Sequence, residues 1–109
     1  MIDRIAPSEL NDWISKHDAT TAVVLDVREP WELATASVQA QGFQLMAIPM
    51  GQIPQRLNEL SPETPVACLC HHGARSLRVA AFLAQQGFEH VANLEGGIDA
   101  WSAQLDASI

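Results

Sequence analysis

One strand–loop–helix–strand unit restricts the architecture of this chain more than any other segment. Val66-Ala67-Cys68-Leu69-Cys70 is a continuous apolar run, and His71-His72-Gly73-Ala74-Arg75 interrupts it with a short glycine-containing loop. The spacing of Leu77, Ala80, Ala81 and Ala84 then predicts a helix over Ser76–Gln86, terminated by Gly87, and His90–Leu94 reads as the next strand. A strand, a crossover helix and a second strand make a parallel pair. A run that is apolar throughout belongs to a sheet covered on both faces.

The rest of the chain repeats the alternation. A helix is expected from Pro7 and Ser8 to about Lys16, a strand over Ala22–Asp26 and a short helix opening at Glu29-Pro30-Trp31-Glu32. A strand is expected over Phe43–Ile48, a helix from Ile53 to Leu60 before Ser61-Pro62, and a final helix over Gly97–Gln104. Its 109 residues suit a single domain, 1–109, with one core. No apolar run has the length of a membrane span, and Met1–Pro7 lacks the basic and apolar regions of a signal peptide. The expectation is a cytoplasmic protein with no membrane partner.

Cys70 stands where an apolar strand meets a loop at the head of a helix. Backbone N–H groups and the positive end of the helix dipole favour a thiolate there, making Cys70 a candidate nucleophile. Gly73 permits the tight turn, and Arg75 and Arg78 bring positive charge to either side of Ser76. Cys68, two residues earlier in an extended strand, points to the same face. It reads as core packing, with a resolving thiol as the other option, since so short a link disfavours a disulfide. Free thiols suit a reducing compartment.

The six residues Cys70 to Arg75 resemble the active-site loop of rhodanese sulfurtransferases. Asp26-Val27-Arg28-Glu29-Pro30-Trp31-Glu32 resembles that family's first signature, Ile48-Pro49-Met50 the segment before its third helix, and Leu94-Glu95-Gly96-Gly97-Ile98-Asp99-Ala100-Trp101 its closing signature. One departure follows Glu32, where the family's Gly-His-Ile element is replaced by Ala34-Thr35-Ala36-Ser37-Val38. The resemblance implies an α/β, three-layer rhodanese-like fold, with a central, mainly parallel five-stranded sheet and helices on both faces. It also implies sulfur transfer from a donor such as thiosulfate to a thiol or cyanide through a persulfide on Cys70, the acceptor being a small molecule or a protein thiol. Loop residues His71, His72, Gly73, Ala74, Arg75 and Ser76 would bind the substrate. No cofactor is expected beyond the persulfide itself.

Asp26 and Arg28 lie at a strand end that the implied fold sets beside Cys70. Asp26 either braces a loop or touches substrate, and Arg28 either pairs with an acid or meets the donor. His71 and His72 face either the donor or solvent. A metal site is not expected, because His17 and His90 lack the spaced partners that a closed zinc site needs. The three tryptophans are read as packing residues. The net charge of −7, from 13 acidic and 6 basic residues, argues against nucleic acid as a partner. A related phosphatase or arsenate reductase would carry its arginine six residues after the cysteine, where this chain has Ser76. A sulfur-relay or binding module with little small-molecule turnover is the alternative from another class.

Overall fold

A computed structural model describes residues 2–18, 20–40 and 42–106. Five strands, β1 (Ile2–Ile5), β2 (Val23–Asp26), β3 (Gln44–Ala47), β4 (Val66–Leu69) and β5 (Val91–Leu94), form one sheet in the order β1-β5-β4-β2-β3. Every neighbouring pair is parallel. The fold is α/β, as the alternation of apolar runs requires, and the sheet is wholly rather than mainly parallel.

The helices are α1 (Leu10–Lys16, led in by a 3-10 turn at Pro7–Glu9), α2 (Pro30–Thr35), α3 (Ala74–Gln85) and α4 (Gly97–Gln104). Alternation along β4 sorts the core into two layers. Val66, Cys68 and Cys70 pack with Val79, Ala80 and Leu83 of α3. Ala67 and Leu69 pack with Trp13 of α1 and Ile98 and Trp101 of α4. Each face of the sheet thus has its own helical cover.

Three elements differ from expectation. The segment Ile53–Leu60 is no α-helix but a turn over 53–56 and a 3-10 turn, Leu57–Glu59, following another 3-10 turn at Met50–Gln52. Pro54, in the first turn of that expected helix, would be compatible with it, but Ile53 and Leu60 reach the core without a regular helix, so packing overrides the helical spacing. Helix α3 starts at Ala74, two residues before Ser76, so Ala74 and Arg75 belong to its first turn. Strand β1, which carries Asp3 and Arg4 on an edge, has no apolar run to announce it. After α2, residues 36–40 form neither helix nor strand.

The order of the strands creates the site. From β2 the chain moves outward to β3, and from β4 it moves the other way to β5. The carboxyl ends of β2 and β4 therefore flank a crevice, which is where parallel sheets bind ligands. The register sets Asp26 opposite Leu69, so Cys70 is one residue beyond that pair.

Candidate active site

Cys70 follows β4 directly, with 1% of its surface exposed. The N–H of Gly73 donates to its Sγ at 3.0 Å. Gly73 caps α3 with φ at +105°, a backbone state that disfavours any side chain. Burial pushes the Cys70 thiol up, but the hydroxyl and N–H of Ser76 and the N–H groups of Gly73 and His72 outweigh it. The net pKa is lowered. Burial, with the Cys70 charge second, raises the Cys68 thiol far out of the useful range. Both cysteines are free, yet only Cys70 is set up to hold charge on sulfur.

Two elements support the loop from behind. The N–H groups of Ile98 and Asp99, in the first turn of α4, donate to the carbonyls of Cys70 (2.8 Å) and His71 (3.3 Å). A Cβ on Gly97 would collide with those carbonyls, so the close approach of α4 requires glycine there. From β5, fully buried Asn93 donates through Nδ2 to the Gly73 carbonyl at 3.2 Å and accepts from the Ser76 hydroxyl at 2.5 Å. Its Nδ2 also donates to Glu95, which is paired with Arg4.

Arg28 and Arg75 are occupied by acids. Arg28 is 2% exposed and donates through Nε and Nη2 to Asp26 at 3.0 and 2.8 Å. In the structure Asp26 and Arg28 pair with each other. Arg75, expected to bring charge to the loop, sends Nη1 and Nη2 to the two carboxylate oxygens of Glu32, each at 2.7 Å. Its bonds to Arg75, partly opposed by burial and helped by the Glu29 N–H, hold the Glu32 carboxyl at about 2. Arg78 lines a separate groove with Met50, Ile53 and Phe82.

The rings of His71 and His72 stack at 4.0 Å, and both reach Asp99, His71 Nε2 at 3.1 Å and His72 Nδ1 at 2.9 Å. Among the described residues these three alone group possible metal-ligand atoms, within 4.8 Å of one another and all exposed. The rings of His17 and His90 meet each other instead, 4.2 Å apart and tilted by 31°. His71 also lines a cleft of about 170 Å³ with Arg28, Trp31, Glu32, Thr35 and Ile98. Trp13 and Trp101 are core residues, whereas Trp31 is 72% exposed.

The sequence-derived set from Cys70 to Ser76, with Asp26 and Arg28, thus gathers at one crevice, although Ala74 and Arg75 belong to α3. Glu32, Asn93, Gly97 and Asp99 join it without having been assigned a role. Asn93 carried a readable signal, since a polar amide inside an apolar strand run must find partners.

Residues 6–104 match the rhodanese-like domain. The chain belongs to the rhodanese-like domain family. It is 33% identical over 102 residues to a sulfurtransferase of Allochromatium vinosum, spanning 94% of this chain and 90% of that protein. A rhodanese-like domain protein from Staphylococcus aureus has the same fold, with a TM-score of 0.76, 28% identity, and coverage of 92% of this chain and 91% of that one. The polysulfide-sulfur transferase of Wolinella succinogenes superposes with a TM-score of 0.74 at 25% identity, over 94% of this chain and 74% of that one. The family places this rhodanese-like chain among the sulfurtransferases. Among the described residues, no helix is long and apolar enough to cross a membrane.

Proposed function

We propose that this rhodanese-like domain moves a sulfane sulfur between donor and acceptor through a persulfide on Cys70. The carrying observation is the Gly73 N–H at 3.0 Å from Sγ at the head of α3, with a thiol pKa lowered despite burial. The Cys70 thiolate attacks the outer sulfur of a donor such as thiosulfate. The bond from that sulfur to the rest of the donor breaks, and sulfite leaves with the bonding pair. The new terminal sulfur anion is held by N–H groups of the loop and the first turn of α3. An acceptor thiolate or cyanide then attacks the outer sulfur, and the S–S electron pair returns to Cys70. Written this way, the cycle calls for no metal or cofactor. It does call for reduced cysteines, as in the cytoplasm.

Two rivals differ at named residues. A phosphatase needs an arginine free to fork onto phosphoryl oxygens, whereas the Arg75 fork is on Glu32. A sulfur relay between proteins would use the same persulfide and differ in turnover on small molecules.

Intact-protein mass spectrometry after thiosulfate treatment tests the proposal. One added sulfur is expected, lost on addition of cyanide and absent in Cys70→Ser. Cys68→Ala should still take it up. Transfer that survives in Cys70→Ser would overturn the assignment.

A further inference from the structure

The cleft beside the Cys70 loop combines three properties. Its about 170 Å³ are enough for a small ring, given that an apolar cavity of about 150 Å³ can take a benzene. The indole of Trp31, 72% exposed, offers one wall, and Thr35, Ala36 and Ile98 add further hydrocarbon. The charged groups on the lining are already matched: Arg28 faces Asp26, Glu32 faces Arg75, and His71 faces Asp99. Among the described residues that line the cleft, none offers a cation without a carboxylate against it.

A thiosulfate dianion would have to shed water here without a cation to replace it, under the field of a chain with net charge −7. A hydrocarbon body gains by leaving water and can stack on Trp31.

We propose that this cleft selects sulfane donors with an apolar organic body, of the organic persulfide or thiosulfonate type, over inorganic thiosulfate. The preference rests on the persulfide cycle of Cys70. Cys70–S⁻ and R–SO₂–S⁻ give Cys70–S–S⁻ and R–SO₂⁻. The Cys70–sulfur bond forms, the sulfur–sulfonyl bond breaks, and the sulfinate leaves with the pair. Charge and atoms balance without an oxidant or a reductant.

Three probes separate charge from body: thiosulfate, methanethiosulfonate and benzenethiosulfonate. For each, kcat/KM is measured with one saturating thiol acceptor and divided by the donor's rate with free cysteine, which removes intrinsic reactivity. Benzenethiosulfonate should exceed methanethiosulfonate by at least about 10-fold, the scale of a filled apolar pocket. Methanethiosulfonate should in turn exceed thiosulfate. Trp31→Ala, at an exposed position, should cut the benzene-to-methane ratio by at least about 5-fold. Equal normalised efficiencies, a lead for thiosulfate, or a ratio unmoved by Trp31→Ala would each overturn the preference while leaving the persulfide cycle standing. If no donor places sulfur on Cys70, the cycle itself falls, and the preference with it.

Discussion

Removing the carboxylate from the Glu32–Arg75 pair should cost stability in an amount and over a pH range that the geometry sets. Both guanidinium nitrogens of Arg75 meet Glu32 oxygens at 2.7 Å, with Glu32 buried and the Arg75 side chain 33% exposed. The carboxyl falls from an ordinary 4.5 to about 2. At about 1.4 kcal/mol per tenfold change in proton affinity, that drop corresponds to about 3 kcal/mol, which solvent around Arg75 reduces to about 2. Below the ordinary carboxyl range the unfolded chain takes up a proton that the folded chain refuses. The contribution is therefore complete above about pH 5 and drains away as pH falls toward about 2. Glu32→Gln still offers an oxygen to the Glu29 N–H but cannot ionise. Urea unfolding followed by tryptophan fluorescence, at a series of pH values, should find the variant about 2 kcal/mol less stable at neutral pH. The deficit should shrink on acidification, and a cycle with Arg75→Gln should assign most of it to the pair. A deficit that is constant with pH, or single-variant losses that simply add, would refute the reasoning.

Ser76→Ala removes a hydroxyl that favours the thiolate and leaves Asn93 Oδ1 without its donor. The pH midpoint of Cys70 alkylation by iodoacetamide should move up toward the ordinary thiol value of about 8.5, with a loss of about 1–3 kcal/mol in urea unfolding. Gly97→Ala sets a methyl against the Cys70 and His71 carbonyls and should cost about 3 kcal/mol. Gly51→Ala, with nothing within 4 Å, should leave the thermal midpoint nearly unchanged. His72 does not line the cleft, so His72→Gln should preserve steady-state kcat/KM within about twofold, whereas His71→Gln should change it more. Equal effects at both positions would show that the rings act together through Asp99.

The segment 66–94 was legible because two independent signals agreed there. The uninterrupted apolar run Val66–Cys70 defined a strand covered on both faces, and Gly73 with the spacing to Ala84 defined the turn and helix. Agreement failed where only one signal was present. Ile53, Leu57 and Leu60 have helical spacing, but a turn and one 3-10 turn bring Ile53 and Leu60 into the core and Leu57 against it. Ile2–Ile5 carries two polar residues and owes its extended state to β5, a partner far along the chain. The site was legible as a set of positions and not as a set of charges. Arg75 sits five residues after Cys70 and looks free in the sequence, yet its carboxylate comes from Glu32, 43 residues away. Asp26 and Arg28 are close enough for their pairing to be weighed as an alternative, which long-range pairs never are.

The backing of the Cys70 loop by Asn93 and the first turn of α4 has a consequence for the life of the chain before it is folded. During synthesis Cys70 leaves the ribosome well ahead of Asn93, Gly97 and Ile98. Until those residues arrive, the loop carbonyls lack their anchors, although the His72, Gly73 and Ser76 groups that favour the thiolate are already on the chain. The loop is thereby completed only by the docking of β5 and α4. A chain cleaved before Asn93 would carry the nucleophile and its donors without the backing that holds the loop carbonyls.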